Sequence, residues 1–201
     1  MSSRKQVVLA TRNQGKVREF ERLFAPLGWE VHSLAAYPDA PEVIEDGETF
    51  AANAIKKAVT IAEALGMAAV ADDSGLEVDA LGGRPGVYSA RYAGEKASDE
   101  ENWRKLLLEL KDVPLEKRTA RFRCVLAYVE PGGEPILASG SCEGVILPEP
   151  AGTNGFGYDP VFFLPGRNCT MAQLDPDVKN RISHRAQAMQ SLLEEIRRSG
   201  Q

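Results

Sequence analysis

The residues most able to do chemistry lie in five polar segments of this 201-residue chain. The first, residues 11–16 (TRNQGK), follows an apolar run and precedes a helical pattern. Backbone N–H groups at the start of a helix form an anion site, and the Lys16 ammonium adds a positive charge there. A phosphate is therefore one predicted ligand. Because the glycine spacing of a Walker A loop is missing, an ordinary polar turn explains the same residues.

Acidic residues form the second segment. Asp72 and Asp73 directly follow the apolar run at residues 68–71, so we predict their carboxylates at the carboxyl end of a strand. Open α/β sheets bind ligands at that end, and hard carboxylate oxygens suit Mg²⁺, with waters completing its coordination. An acidic stretch upstream contains Glu42, Glu45, Asp46 and Glu48. A solvated loop before a helix explains that stretch equally well, and a turn with a cap is the alternative for the aspartate pair.

A glycine-rich segment, residues 152–160 (GTNGFGYDP), places two aromatic residues in a loop. Phe156 or Tyr158 could stack on a nucleotide base, while the Asp159 carboxylate accepts hydrogen bonds from the edge of that base. The alternative is a wide structural turn whose aromatic rings cover the core.

The two remaining segments are basic. Lys179 precedes the sequence SHR, in which His184 and Arg185 could donate hydrogen bonds to a carbonyl oxygen. A helix cap or a surface position is the alternative for His184. Residues 82–92 (GGRPGVYSARY) contain two arginines among turn residues and by themselves indicate only an ordered loop.

Strand and helix patterns alternate in the first half of the chain. Short apolar strands are predicted at residues 6–11, 29–34 and 68–71, and the helices between them are predicted to end at Gly28 and Gly66. This β-α-β-α-β order is typical of an α/β fold.

The second half has a different pattern. Residues 98–101 (SDEE) form a capping box that begins a helix. Strands are predicted at residues 119–129 and 136–146, the second returning antiparallel to the first, and a last helix starts near Ser183. We therefore predict a mixed central sheet flanked by helices and splayed into two lobes, in one continuous domain over residues 1–201.

Composition excludes several classes of protein. The chain is 43% hydrophobic and 26% charged with a net charge of -5, which excludes a disordered chain and disfavours a nucleic-acid-binding protein, whose Lys and Arg cluster on one face. Cys124, Cys142 and Cys169 form no CxxC pair, so neither a zinc site nor a redox dithiol is indicated. Because no apolar stretch suits a membrane span or a signal peptide, we predict a cytoplasmic protein without a membrane partner.

Four motifs in sequence order resemble those of the inosine triphosphate pyrophosphatase family, the XTP/dITP diphosphatases that remove non-standard purine nucleotides. They are TRNQGK, ADDSGLEVDALGGRPGVYSARY, GFGYDP and SHR, at residues 11–16, 71–92, 155–160 and 183–185. The similarity spans essentially the whole chain. It implies an ITPase-like fold with an active-site cleft between two lobes, a homodimer, and a small-molecule nucleoside triphosphate as the substrate.

The resemblance also implies a role for each matching residue. Asp73 would be the general base and would bind Mg²⁺ together with Glu45. The residues that would contact the nucleotide are Thr11, Arg12, Asn13, Gln14, Gly15, Lys16, Lys57, Ser74, Phe156, Gly157, Tyr158, Asp159, Lys179, His184 and Arg185. Residues 11–16 would cradle the triphosphate, the two further lysines would neutralise phosphate charge, residues 156–159 would hold the base, and the His-Arg pair would read its 6-keto oxygen.

The implied reaction is Mg²⁺-assisted attack of water at the α-phosphorus of ITP, dITP or XTP, which yields a nucleoside monophosphate and pyrophosphate. Two alternatives stay open. The first is a pyrophosphatase of the Maf type with another base preference, which the GFGYDP and SHR motifs disfavour. The second is a nucleotide-binding regulator without turnover, which the presence of Asp73 and Glu45 disfavours.

Overall fold

A seven-stranded sheet organises residues 4–200, the part of the chain that this computed structural model describes. Its strands are β1 (Gln6–Leu9), β2 (Glu30–Ser33), β3 (Ala69–Val78), β4 (Thr119–Val129), β5 (Ile136–Ile146), β6 (Phe162–Leu164) and β7 (Cys169–Thr170). They lie in the order β2-β1-β3-β4-β5-β6-β7. Since β1 is parallel to β2 and β3, whereas β6 is antiparallel to β5 and β7, the sheet is mixed, as predicted.

Five α-helices accompany the sheet in the described residues. They are α1 (Gln14–Phe24), α2 (Phe50–Leu65), α3 (Asp99–Glu109), α4 (Pro176–Ile182) and α5 (His184–Ser199). Local signals define several of their ends: the Ser98 hydroxyl and the Glu101 carboxylate form the predicted capping box of α3, and Gly66 ends α2 at φ 63°. The predicted α/β fold with flanking helices is confirmed.

The chain divides into two compact units. The first unit comprises residues 4–73, 124–140 and 185–200, and the second comprises residues 74–123 and 141–184. The predictions of a single domain over residues 1–201 and of a cleft between two lobes stay predictions.

In the first unit the sheet is covered on both faces. Successive strand residues point to opposite faces, so Val7 and Leu9 pack with Phe20 of α1 and Leu192 of α5. Val8 points the other way and packs with the small residues Ala54, Ala58 and Ala62 of α2. The second unit has an apolar core of its own, which includes Leu76, Leu106, Phe122, Ile146 and Phe162.

Strand β3 is longer than the sequence predicts. We expected the strand to end at residue 71, with Asp72 and Asp73 at its carboxyl end, but β3 continues to Val78 and both aspartates lie inside it. The reason is that Leu76 and Val78 are completely buried and continue the strand beyond the polar interruption. The register with β1 includes Ala69 and Val70 of β3, so both aspartates lie beyond the residues that pair with β1.

Three short elements, β6, β7 and α4, are absent from the fold predicted from the sequence. Strands of three and two residues are too short to show a period. Helix α4 does carry a readable signal, since Asp175 accepts a hydrogen bond from the Asp177 N–H and Pro176 occupies the first helical position. Over residues 4–200, no helix is long and apolar enough to cross a membrane.

Candidate active site

The loop after β1 leads directly into α1. The Asn13 side chain caps the helix by accepting a hydrogen bond from the Lys16 backbone N–H at 3.1 Å. The Lys16 side chain extends towards β3, where its Nζ lies 3.1 Å from Asp72 Oδ2. Arg12 points elsewhere and donates to the Ala40 carbonyl oxygen at 3.2 Å. Of residues 11–16, the structure therefore places Lys16 beside the acidic part of β3.

Asp72 lies among positive charges. It is completely buried on the same face of β3 as Val70, and Arg185 Nε lies 3.7 Å from its Oδ2. Arg185 also donates to Glu19 Oε2 at 2.9 Å. Burial by itself would raise the pKa of the Asp72 carboxyl, but the charges of Lys16, Arg185 and Lys57 outweigh it and hold that pKa well below its ordinary value. Asp72 is therefore ionised and serves as a counter-ion.

Asp73 points to the opposite face of β3, towards α2. Its Oδ2 accepts a hydrogen bond from Asn53 Nδ2 at 2.9 Å. Burial raises the pKa of Asp73 to about 6, against the lowering effects of the Lys57 charge and the Asn53 hydrogen bond. A carboxylate with a pKa in this range accepts a proton more readily than an ordinary aspartate at neutral pH, which suits a general base.

Lys57 connects the acidic loop to β3. Its Nζ lies 2.5 Å from Glu45 Oε1 and donates to the Asp72 carbonyl oxygen, also at 2.5 Å. Burial would lower the pKa of Lys57, but the negative charges of Asp72 and Glu45 raise it above its ordinary value. Lys57 follows Asn53 by one helical turn, so α2 presents both to the same side. The helix thereby brings Glu45 and Asp73 together.

Glu45 and Asp73 are the donors that could hold a metal ion. Within residues 4–200, no group of three or more His, Cys, Asp or Glu side chains is placed to hold one. Mg²⁺ does not need such a group, since it keeps several waters and binds through one or two carboxylates together with substrate phosphates. Two carboxylates, one of them deeply buried beside a lysine, form a hard oxygen donor set that fits Mg²⁺.

In the second unit, Asp159 organises the glycine-rich segment. Its buried Oδ2 accepts hydrogen bonds from Lys179 Nζ at 2.7 Å and from the Phe156 backbone N–H at 3.1 Å. Lys179 Nζ also lies 4.7 Å from the centre of the Phe156 ring. Gly155 adopts φ 74°, and a Cβ there would collide with the Asp159 carboxylate, so the turn requires glycine. The predicted loop is thus held by a buried ion pair.

The remaining predicted residues of the second unit are largely buried. Tyr158 packs in the apolar core and donates to the Ser89 carbonyl oxygen at 2.6 Å, as in the alternative interpretation in which the aromatic ring covers the core. His184 is buried and stacks on Phe122, with ring centres 4.9 Å apart. Ser74 is half-buried. Contacts of these residues with a nucleotide base stay predictions.

The structure sorts the predicted residues by unit. The first unit holds residues 11–16, Glu45, Lys57, Asp73 and Arg185; the second holds Ser74, residues 156–159, Lys179 and His184.

Two residues of the acidic region escaped the sequence analysis. Asn53 and Glu19 are both buried, and each contacts a candidate site residue. Asn53 could have been found, because it lies on the face of α2 that carries Lys57 and the buried alanines. Nothing local marks Glu19, since its partner Arg185 lies 166 residues away.

Comparison with known proteins places the chain among relatives of the same length. The sequence profile of the Ham1 family matches residues 7–195. A dITP/XTP pyrophosphatase of Shouchella clausii is 56% identical over 191 residues, which are 95% of this chain and 96% of the relative. The solved structure of the Staphylococcus aureus Ham1 protein has a TM-score of 0.84 at 43% identity and covers 98% of this chain and 100% of its own. The solved structure of a HAM1 protein from Coxiella burnetii has a TM-score of 0.86 at 41% identity and covers 96% of this chain and 99% of its own.

Proposed function

Because the chain belongs to the Ham1 family, we propose that it is a nucleoside-triphosphate pyrophosphatase that clears non-standard purine nucleotides from the nucleotide pool. It hydrolyses dITP, XTP and ITP to the monophosphate and pyrophosphate. The observation that carries this proposal is the buried cluster of the first unit. In this cluster Asp73 has a pKa of about 6. Two lysines, Lys16 and Lys57, lie beside Asp73 and its neighbour Asp72.

The proposed reaction uses these groups in separate roles. A water oxygen attacks the α-phosphorus, the bond from the α-phosphorus to its bridging oxygen breaks, and pyrophosphate leaves. Asp73 takes the proton of the attacking water. The ammonium groups of Lys16 and Lys57, together with the backbone N–H groups at the start of α1, stabilise negative charge on the phosphates. Asp72 keeps Lys16 and Arg185 in place through their ion pairs.

We propose that Glu45 and Asp73 hold Mg²⁺ as the cofactor. When bound, this ion neutralises phosphate charge and polarises the phosphoryl oxygens. Asp73 is buried, and a buried carboxylate is stabilised by a cation beside it.

Base recognition is assigned to residues of the GFGYDP and SHR motifs on their resemblance to the family. Phe156, Gly157, Tyr158 and Asp159 hold the base, with Lys179 and Ser74 as further contacts of the nucleotide. His184 and Arg185 donate to the 6-keto oxygen, which hypoxanthine and xanthine carry and adenine lacks. With ATP these hydrogen-bond donors would face the adenine amino group and lack an acceptor. The lost hydrogen bonds would make the binding free energy less favourable, so ATP is rejected.

The proposal extends to the setting of the enzyme. We propose a cytoplasmic homodimer that acts on small-molecule nucleotides, without a nucleic-acid or membrane partner. The net charge of -5 supports a free nucleotide over a nucleic acid as the substrate, because polyanion-binding surfaces are basic.

Pyrophosphate release from dITP, XTP, ITP, GTP, ATP and dTTP, measured with Mg²⁺ and with EDTA, tests this function. We expect release from dITP, XTP and ITP, and none in EDTA. A preference for dTTP would favour a pyrophosphatase of the Maf type. Nucleotide binding without release would favour the regulator, and activity that survives EDTA would contradict the Mg²⁺ proposal.

A further inference from the structure

Helix α2 contains a buried asparagine that needs an explanation. Asn53 is 1% exposed and lies beside the buried residue Ala54. Asparagine is a poor helix former, because its side chain competes with the backbone for hydrogen bonds. A buried side-chain amide is also costly unless its polar atoms are paired. Its contacts therefore indicate what it does.

Every polar atom of the Asn53 side chain is used. Oδ1 accepts a hydrogen bond from the Gly47 backbone N–H at 2.7 Å, and Nδ2 donates to Asp73 Oδ2 at 2.9 Å and to the Gly47 carbonyl oxygen at 3.4 Å. Only one orientation of the amide group fits, since the flipped group would place its NH₂ against an N–H donor and its oxygen against a carboxylate. One side chain thus joins the acidic loop to Asp73.

Gly47 allows the loop backbone to lie this close to the Asn53 side chain. Its φ lies outside the left-handed region, so conformational freedom does not explain the glycine. A Cβ at this position would instead lie 2.6 Å from Asn53 Oδ1 and 3.0 Å from the Ala52 methyl group. Asn53 cannot turn away to make room, because the same rotation would break its bond to Asp73.

A second contact tightens the same connection one helical turn later. Lys57 binds Glu45 of the loop through its Nζ and donates to the Asp72 backbone of β3. Asn53 therefore holds the loop backbone and the Asp73 side chain, whereas Lys57 holds the Glu45 side chain and the strand backbone. Both connections run from α2, and together they fix the separation between the two carboxylates.

We propose that Asn53 is a positioning residue for the reaction: it orients the Asp73 carboxylate and ties it to the loop that carries Glu45, and Gly47 is required for that contact. The inference rests on the proposed pyrophosphatase function. Asn53 carries no charge and acts through its hydrogen bonds to Asp73 and to Gly47.

Two substitutions separate the two halves of this contact. Asn53→Asp keeps an oxygen for the Gly47 N–H but replaces the donor to Asp73 with a second carboxylate, so we expect kcat on dITP to fall on the order of 10- to 100-fold while KM changes little. Gly47→Ala leaves the Asn53–Asp73 bond intact and pushes the loop away. We expect it to raise the Mg²⁺ concentration for half-maximal activity roughly tenfold.

Two control variants guard against a general effect. Asn102 is also buried on a helix, accepts from the Ala93 N–H at 2.8 Å and donates to the Ala90 carbonyl oxygen at 3.1 Å, but its described contacts include no carboxylate. Asn102→Asp should lower the free energy of unfolding without changing kcat. Lys56→Met removes an exposed contact between α2 and the same loop, the Lys56–Asp46 pair, and should change neither.

Amide hydrogen exchange in the metal-free protein provides a measurement without turnover. We expect the Gly47 N–H to be protected in the wild type and in Asn53→Asp, and to exchange faster in Asn53→Ala, which lacks the acceptor. Wild-type kcat in Asn53→Asp, or unchanged exchange at residue 47 in Asn53→Ala, would overturn the inference. A wild type that releases no pyrophosphate would count against the proposed function alone, because exchange still reports the contact.

Discussion

Both units bury a lysine beside a carboxylate, but they arrange the charges differently. In the second unit, Lys179 and Asp159 pair at 2.7 Å and the same oxygen of Asp159 also binds the backbone of its own loop. In the first unit, Lys16, Lys57 and Arg185 surround Asp72, while Asp73 on the other face of β3 has a raised pKa. In the second unit a matched pair fixes a loop, whereas in the first unit burial raises the pKa of Asp73 and leaves this carboxylate able to take up a proton.

The largest effect should follow from removing the reactive carboxylate. Asp73→Asn keeps an oxygen for the Asn53 hydrogen bond but cannot accept a proton from water, so we expect kcat on dITP to fall roughly 10²- to 10⁴-fold. Pyrophosphate release is the measurement, with thermal unfolding as the control for folding. Activity within a factor of ten of the wild type would remove Asp73 from the role of base.

Asp72→Asn should act on stability instead. Lys16 and Arg185 would lose their buried carboxylate partner, and we expect the free energy of unfolding to fall by about 3–5 kcal/mol at pH 7. Because the folded pKa of Asp72 lies below its ordinary value of 3.8, its contribution is present above that pH and is lost as the pH falls through the folded pKa.

Urea unfolding of the wild type and Asp72→Asn at pH 7 and at pH 3 tests this sign. The difference between the two proteins should narrow in acid. A difference that grows as the pH falls would contradict the assignment of Asp72 as an ionised counter-ion.

The matched pair of the second unit should show strong coupling in a double-mutant cycle. We expect Lys179→Met and Asp159→Asn to couple by about 1–3 kcal/mol in the free energy of unfolding. The corresponding cycle of Lys57→Met and Glu45→Gln should couple less, since the Glu45 side chain is 37% exposed and solvent screens the pair. Equal coupling in the two cycles would remove the distinction between the units.

The smallest effect concerns the reactivity of the cysteine thiols, which can be followed separately in the two units. Cys124 of the first unit and Cys142 of the second are buried, and burial raises the pKa of both thiols, that of Cys142 to about 11. A thiol reagent at pH 8 should therefore label Cys169 first. Mass mapping during mild urea treatment should then show which buried thiol becomes reactive first, and immediate labelling of all three would contradict the burial.

The sequence predicts the parts of this fold that local signals define. Gly66 and the capping box at Ser98 mark helix ends where the structure has them. The pairing of the acidic region was beyond reach, because Lys16, Asn53 and Arg185 reach β3 from distant parts of the chain. The extent of β3 was unpredictable for the same reason. Without its distant partners, the sequence DDSG at residues 72–75 is typical of a turn.

The alternation of Asp72 and Asp73 within β3 has a consequence for how sequences of this type can diverge. Neighbouring strand residues face opposite sides, so a single residue inserted between Asp72 and Asp73 would turn the Asp73 carboxylate onto the face that carries Asp72. Both acids would then face the cations, and the Asn53 amide would lose its carboxylate. A point substitution in this segment leaves every other side chain on its own face of β3, whereas a change in length moves side chains to the other face. The connection at residues 130–135, between β4 and β5, carries none of the candidate site residues, so a change in its length would leave the two aspartates on their own faces of β3.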